Sequence, residues 1–355
     1  MRLGVLLNFG EMLGDTAEVV FAFSLEQARL AAELGYRELW LTEHHFIPFG
    51  INPSALTSSA FLLGRFPTLH VGTAVTLAPL QNPIELAERA ALLDQWSGGR
   101  LMLGLGRGGY LKDYEVLDAE PERWSSEPVF CAERLAEAFS GADLAEADHQ
   151  TGVSRLRPPP HSDGGPPLYF ATSSDSALCY AAQSGIPLLH HFAAPEDARA
   201  ALETRYAAHL HDPSARVAHV HMLTVVVSDD VDSDRERLTD ALTCAFEDGD
   251  WPHLPDLPKR HVDAAGHPLS RRDRAAAAAA RAVMGDAETV RTALLDYAAR
   301  TGAQRLVVNA EVIDDREQAL ATLAALAPLT HANEGIAAGP GSGGVHASES
   351  NVPMS

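Results

Sequence analysis

Short apolar runs alternate with longer amphipathic stretches along most of the chain. Eight runs have the length and aliphatic content of buried strands, at residues 2–8, 38–41, 69–75, 101–105, 168–171, 187–190, 218–227 and 305–309. Apolar residues spaced three and four apart predict helices at 24–34, 53–65, 83–96, 132–139, 174–184, 196–209, 286–300 and 316–326. This alternation predicts an α/β fold, a (β/α)8 TIM barrel with insertions, and an open doubly wound sheet is the alternative.

Three intervals are longer than simple connections between a strand and a helix. Residues 106–128 and 141–167 are rich in glycine and proline, and residues 247–270 contain four prolines. Loops of this length in compact domains are usually functional lids or solvated insertions, and we expect residues 247–270 to form a lid. We expect one domain over residues 1–330. Residues 331–355 lack aromatic side chains and predict a disordered tail.

Charge and cysteine content exclude several classes of partner. The 355 residues include 27 basic and 48 acidic side chains, which give a net charge of -21. Such a charge repels nucleic acid and anionic membranes, so we expect neither partner. The three cysteines form no CxxC pair, and the first apolar run is too short for a signal peptide or a membrane span. We expect a cytoplasmic protein.

Candidate chemistry begins where the predicted strand 38–41 ends, at Glu43, His44 and His45. Side chains alternate along a strand, so a metal held by one strand needs alternate positions, and adjacent histidines disfavour a metal site here. One histidine can transfer a proton near neutral pH, because the ordinary pKa of histidine is about 6.5. The alternative is that both are satisfied polar residues at a strand end.

Two further loops offer groups that suit a bound anion. Gly104 to Gly109 formally contain GxGxxG, but we expect a loop at residues 110–113 instead of the helix that a dinucleotide fingerprint needs. Arg107 can hold a phosphate or carboxylate, or lie on the surface beside a tight turn. Ser173 and Ser174 begin a predicted helix, where hydroxyls and backbone N–H groups either bind an anion or cap the helix.

These motifs together resemble the bacterial luciferase-like flavin-dependent monooxygenases, and in particular the luciferase alpha subunit. The densest similarity covers residues 1–115 and continues more thinly to about residue 329. It includes Thr-Glu-His-His-Phe at 42–46, Asn-Pro at 52–53, Leu-His-Val-Gly-Thr-Ala at 69–74, Arg-Gly at 107–108 and Lys-Asp at 112–113. The resemblance implies a (β/α)8 barrel that uses reduced FMN and O2, which agrees with the strand count.

The resemblance also implies roles for individual residues. His44 corresponds to the family's catalytic histidine, with His45 beside it, and Ala74 and Val75 lie where the family has a non-prolyl cis peptide against the flavin. The remaining positions that the resemblance assigns to cofactor binding are Arg107 and Ser174 at the phosphate, with Ser173, Tyr110, Asp113 and Trp251. Gly106 stands where light-emitting relatives have a reactive cysteine, and Ala177 replaces a phosphate-loop threonine.

The activity implied is that of an oxygenase component acting through a flavin C4a-peroxide. The repeating pattern leaves no stretch for a nicotinamide-binding domain, so we expect a separate NAD(P)H:flavin reductase to supply FMNH2. A natural-product intermediate such as a polyketide, in antibiotic biosynthesis, and a long-chain aldehyde are the substrate classes. Hydride transfer with the deazaflavin F420 is one alternative, and a non-catalytic subunit like the luciferase beta chain is another. Helices 53–65 and 83–96 match those that pair subunits in the family, which predicts a homodimer.

Overall fold

The computed structural model describes residues 1–11, 15–47, 50–120, 122–145, 154–212, 214–245, 269–311 and 315–330. Three predictions fall elsewhere in the chain. Nearly all of the expected lid at 247–270, the residue Trp251 and the expected tail at 331–355 lie outside the described residues.

The described strands form a parallel barrel. They are β1 (Arg2–Leu7), β2 (Glu38–Leu41), β3 (His70–Thr73), β4 (Thr76–Leu77), β5 (Leu101–Gly106), β6 (Leu168–Ala171), β7 (Leu189–His190), β8 (Val220–Val227), β9 (Val283–Gly285) and β10 (Arg305–Asn309). Pairing runs in the order β6, β5, β3, β2, β1, β10, β8, β7, and a bridge between Phe170 and Leu188 joins the two ends. The eight-stranded ring confirms the predicted (β/α)8 barrel, and β4 and β9 are short extensions at its rim.

Helices surround the ring, and most begin with a side-chain cap that the sequence supplies. They are α1 (Ala17–Glu33), α2 (Ala55–Arg65), α3 (Pro83–Ser97), α4 (Leu111–Val116), α5 (Arg123–Phe139), α6 (Asp175–Gln183), α7 (Glu196–Ala207), α8 (Val231–Ala245), α9 (Arg271–Ala279), α10 (Ala287–Thr301) and α11 (Arg316–Leu326). Thr16, Ser54 and Asn82 accept N–H groups of the first turns of α1, α2 and α3. Short 3₁₀ turns at Ala78–Leu80 and Ala327–Leu329 complete the outer layer.

The core has two layers because side chains alternate along each strand. Leu6, Trp40 and Val307 belong to the cluster inside the barrel, whereas Val5 and Leu39 pack outward against the helices. At the end of the barrel where the strands begin, the buried guanidinium of Arg305 donates to Glu38 Oε1 at 2.7 Å and also bonds the hydroxyl of Tyr169. These buried side chains occupy the interior at that end of the barrel.

Three helical predictions were wrong, each for a local reason. Helix α1 begins at Ala17 instead of residue 24, because Thr16 caps a first turn whose valines and phenylalanine look strand-like. Helix α5 begins at Arg123 and contains Pro128, where the sequence analysis had ended a loop. Residues 111–116 form helix α4, although we expected a loop through residue 113 after the paired glycines.

Two further observations concern the class of protein. Among the helices of the described residues, none has the length and apolar content that crossing a membrane requires. Cys131, Cys179 and Cys244 are all free thiols. The absence of a disulfide among these three agrees with their scattered positions in the sequence.

Candidate active site at the barrel mouth

The polar residues singled out in the sequence meet at one end of the barrel. Parallel strands end at the same edge, and Gly106 of β5 lies in register with Leu77 of β4 and with Ala171 of β6. We call this edge the mouth. The loops that leave it carry His44 after β2, the pair Ala74 and Val75 after β3, Arg107 after β5, Ser173 and Ser174 after β6, and His191 after β7.

His44 is fixed on the wall of the mouth. Its backbone N–H donates to Asn52 O at 3.0 Å, and its ring lies edge-on to Tyr110 with the centroids 6.3 Å apart. A Cβ at Gly50 would come within 2.4 Å of His44 Nδ1, so only glycine leaves room for this ring. Burial, and then the proximity of His191 and His45, lowers the pKa of His44 to about 4. His44 is therefore a neutral base near pH 7.

Glu43 stabilises the backbone next to His44. Its carboxylate is buried and accepts the N–H groups of Ala55 and Leu77, both at 2.9 Å. Burial raises the pKa of Glu43 to about 7, although both backbone hydrogen bonds oppose that rise. The side chain links the end of β2 to the start of α2 and to β4. It fixes the loop that carries His44.

His45 extends from the same loop and is half-buried. Its ring lies 5.8 Å from that of Phe46, which is largely exposed. The buried Nε2 atom of His45 accepts or donates no hydrogen bond within the described residues. Burial lowers the pKa of this histidine below its ordinary value, so it too favours the neutral form.

The floor of the mouth is built from close backbone packing. The peptide bond between Ala74 and Val75 is cis, at the position where the sequence resemblance implied one. Thr73 Oγ1 donates to Gly104 O at 2.8 Å and accepts the Gly104 N–H at 2.9 Å, which joins β3 to β5. A Cβ at Gly106 would lie 2.5 Å from Val75 Cγ2. Gly106 therefore keeps the floor flat beside Val75.

We expect Gly106→Ala to destabilise the protein by about 1–3 kcal/mol, because the new methyl group overpacks against the stiff, β-branched Val75. Urea unfolding measures the change in the free energy of unfolding. Gly64→Ala is the matched control, since a Cβ there meets nothing within 4 Å on the exposed face of α2. The double variant Gly106→Ala with Val75→Ala should recover most of the loss, and an equal loss in both would contradict this packing.

Arg107 and Ser174 lie on neighbouring strand ends. Arg107 directly follows Gly106, and its carbonyl accepts the Tyr114 hydroxyl at 2.9 Å. Ser174 caps α6, where its hydroxyl accepts the Ala177 N–H at 3.3 Å, and its own N–H donates to Thr172 Oγ1 at 3.2 Å. A guanidinium beside a helix N-terminus provides the donor set that a phosphate requires.

Ser173, Tyr110 and Asp113 belong to the loops and the helix that follow β5 and β6. The Ser173 carbonyl accepts from Arg205 Nη2 at 3.1 Å, so the loop is held from outside. Tyr110 is the residue before α4, and Asp113 is buried in the first turn of that helix. Helix α4, which the sequence analysis missed, thus connects Tyr110 and Asp113 to the Arg107 loop through Tyr114.

Sequence reasoning missed His191. It follows β7 at the mouth, and its Nδ1 accepts the Ala193 N–H at 3.1 Å. His191 is exposed to solvent, but the protein atoms around the ring and the nearby Arg199 lower its pKa below the ordinary value. The sequence contained a signal for it, because the pair His190-His191 lies at the end of β7 as the pair His44-His45 lies after β2. His191 also contributes to the lowered pKa of His44.

A family model described as luciferase-like monooxygenase matches residues 1–305. The chain belongs to this family. The matched range includes every residue of the mouth named above.

Three curated relatives illustrate the similarity. The alkanal monooxygenase alpha chain of Photorhabdus luminescens is 33% identical over 48% of this chain and 48% of its own length. A luciferase-like monooxygenase of Escherichia coli K12 is 28% identical over 85% of this chain and 89% of its own. The oxygenase component of a flavin-dependent trigonelline monooxygenase from Acinetobacter baylyi is 28% identical over 52% of each. The alignments with the alkanal monooxygenase alpha chains span about half of those relatives.

Solved structures reproduce the barrel. A monooxygenase from Streptomyces bottropensis superposes with a TM-score of 0.71 at 20% identity over 92% of this chain and 98% of its own. The oxygenating constituent of 3,6-diketocamphane monooxygenase from Pseudomonas putida, in complex with FMN, gives 0.69 at 16% identity over 92% and 97%. An F420-dependent secondary alcohol dehydrogenase gives 0.68 at 18% over 93% and 98%. At these identities the likeness establishes the fold alone.

Proposed function

We propose that this chain is the oxygenase component of a two-component system that uses FMNH2 and O2 to oxidise an organic substrate. The observation that carries the proposal is the convergence of a neutral His44, a flat floor at Gly106 and the Arg107 and Ser174 donors at one end of the barrel. A separate NAD(P)H:flavin reductase supplies the reduced FMN. The Acinetobacter baylyi relative named as an oxygenase component supports a system in which the oxygenase and the reductase are separate proteins.

The residues of the mouth fit FMN in chemistry. The Arg107 guanidinium, the Ser174 hydroxyl and the first N–H groups of α6 would hold the phosphate, with Ser173 beside them. Ala74 and Val75 provide an apolar floor for the isoalloxazine ring, because a side chain at Gly106 is excluded there. Tyr110 and Asp113 line the approach from α4, and Trp251 is assigned to the cofactor by the sequence resemblance alone.

When bound, reduced flavin reacts with O2 and supplies the oxygen atom that the substrate receives. The protein has a different task, which is to exclude water and to control protons. His44 is neutral near pH 7, so its ring accepts a proton from a substrate hydroxyl or hydrate but does not deliver one to reduced oxygen. Burial also lowers the pKa of His45, so a second neutral imidazole lies next to His44 in the sequence.

We infer that the substrate is a natural-product intermediate such as a polyketide, with a long-chain aldehyde as the other class. Gly106 supports the first class, because it leaves no side chain between the floor and the substrate space. Binding of FMN and of F420 to the purified protein tests the cofactor. FMN should bind more tightly than F420, and reduced FMN mixed with excess protein should release H2O2 more slowly than free reduced FMN does when O2 is added. Tight F420 binding, with no effect of the protein on the reaction of reduced FMN with O2, would instead indicate hydride transfer.

We propose a homodimer, because α2 and α3 expose large apolar side chains. Phe61 on α2 is 60% exposed and Trp96 on α3 is 78% exposed, and a groove between α1 and α2 is lined by Phe21 and Phe61. Contiguous apolar surface of this kind marks an interface with another protein. The partner we propose is a second copy of this chain, which places the same helices against each other around a twofold axis.

Phe61→Glu with Trp96→Glu should convert the dimer to a monomer, since two charges would be buried on each side of the interface. Sedimentation velocity should show half the mass of the parent protein, with an unchanged circular dichroism spectrum. Leu295→Glu is the matched control, because Leu295 is an exposed apolar residue on α10, away from α2 and α3. A parent protein that sediments as a monomer would contradict the proposed homodimer.

A further inference from the structure

A second cluster of ionisable groups lies outside the mouth, between the barrel wall and α7. His190 of β7 and His221 of β8 are partners in the parallel register, and their ring centroids are 4.8 Å apart. Their neighbours Leu189 and Met222 belong to the inner core, so alternation turns both histidines outward. Glu203 of α7 extends toward them from the helix layer. Both histidine side chains are at most 3% exposed.

The three groups present their ligand atoms to one point. His190 Nε2 lies 3.0 Å and His221 Nε2 lies 3.1 Å from the same Glu203 oxygen, Oε1. Two ligands of one tetrahedral ion at bond lengths of about 2.0–2.2 Å are separated by roughly 3.3–3.6 Å, so each histidine nitrogen needs to move only a few tenths of an ångström from the Glu203 oxygen to share an ion with it. Within the described residues, this is a group of three whose ligand atoms all lie within 4.8 Å of one another.

The contacts among the three side chains are close but poorly directed as hydrogen bonds. Neither His190 Nε2 nor Glu203 Oε1 makes a hydrogen bond of normal geometry within the described residues. A buried carboxylate oxygen and a buried ring nitrogen at 3.0 Å normally share a well-directed N–H group. A bound cation would satisfy both atoms.

Outer contacts hold one histidine in the orientation of a ligand. His221 Nδ1 lies 2.9 Å from the Tyr297 hydroxyl, which accepts from Arg199 Nη1 at 2.9 Å. A metal-bound histidine is typically held in this way through its second ring nitrogen. Arg199 is itself fixed, because its other nitrogen, Nη2, donates to the carbonyls of His191, Phe192 and Met222.

The cluster is not closed off from solvent on the side of α7. The Glu203 side chain is 25% exposed, which leaves a route for an ion and for a water ligand.

We propose that His190, Glu203 and His221 bind one divalent transition-metal ion, with solvent completing its coordination beside Glu203. Two imidazoles and one carboxylate suit Zn²⁺ and its first-row neighbours. The ion would tie α7 to β7 and β8. Since His191 follows His190 directly, the ion also fixes the end of the strand that carries His191 into the mouth.

Calorimetric titration of the chelator-treated full-length protein with Zn²⁺ tests the site. The parent protein should bind about one equivalent. Glu203→Gln and His221→Gln should each weaken that binding by at least about 100-fold. His211→Gln is the matched control, because His211 is exposed just beyond α7, and it should bind as the parent does. Zn²⁺ should also raise the melting temperature of the parent and of the control but not of the two ligand variants.

Binding that is equally tight in the parent and both ligand variants would overturn the proposal, as would no binding by a folded parent protein. If a ligand variant fails to fold, X-ray absorption of the zinc-loaded parent decides the matter without it. The spectrum should show two imidazole ligands and one carboxylate at about 2.0–2.2 Å. A spectrum without imidazole scattering would contradict the site.

Discussion

His44→Ala is expected to bind reduced FMN as tightly as the parent protein but to release H2O2 on the order of 100-fold faster when O2 is admitted. Release of H2O2 requires a proton at reduced oxygen, and burial lowers the pKa of His44 to about 4, so near pH 7 the ring is neutral and does not act as an acid in that step. Alanine removes the ring and opens its place to water, which can supply that proton. Anaerobic mixing followed by addition of O2, with H2O2 measured over time, gives the rate.

The pH dependence separates this role from simple space filling. Because burial depresses the pKa of His44, the parent protein should release H2O2 slowly above about pH 5 and faster as the pH falls through about 4. His44→Ala should show no such step. His44→Asn fills part of the space without a titrating group and should also lack the step. If His44→Ala releases H2O2 at the rate of the parent protein and with the same pH dependence, His44 does not control proton transfer.

Arg107→Ala should raise the dissociation constant of FMN about 10- to 100-fold, because hydrogen bonds to a charged group contribute about 1.5–3 kcal/mol each. Arg107→Lys keeps the charge but loses the two-pronged geometry, so a smaller increase is expected. Fluorescence titration with oxidised FMN measures both variants. Lys112→Ala is the control, since Lys112 is an exposed cation nearby that pairs with Glu115.

Riboflavin identifies the part of the cofactor that Arg107 contacts. It has the same ring as FMN but no phosphate, so its affinity should be nearly equal in the parent protein and in Arg107→Ala. An equal loss of affinity for both ligands would show that the substitution disturbs the mouth as a whole. Ser174→Ala should follow the same pattern on a smaller scale, combined with the loss of the α6 cap.

The sequence predicted the barrel well, because strand length and apolar content are local properties. All eight predicted strands are present, and those at Glu38–Leu41, Leu168–Ala171 and Arg305–Asn309 have the predicted limits. The short rim strands β4 and β9 escaped prediction. Two or three residues carry too little pattern, and their pairing depends on distant strands.

The location of site residues that follow strands could be predicted from the sequence. The role of residues whose contacts depend on tertiary packing could not. His44, Arg107 and Ser174 lie within three residues of the ends of β2, β5 and β6, so their placement at the mouth followed from the fold. The direction of Glu43, away from the mouth and onto the N–H groups of Ala55 and Leu77, depends on tertiary contacts. The cluster of His190, Glu203 and His221 brings together two strands and a helix, so no short sequence motif predicts it.

The proposal that the mouth binds reduced FMN and controls its reaction with O2 is tested most directly without a substrate. Reduced FMN is mixed with excess protein under anaerobic conditions, O2 is added, and H2O2 release is compared with that from free reduced FMN. The account predicts that the protein delays H2O2 release at least about tenfold, and that His44→Ala abolishes most of this delay. Release at the rate of free reduced FMN in the presence of excess folded protein would contradict the account.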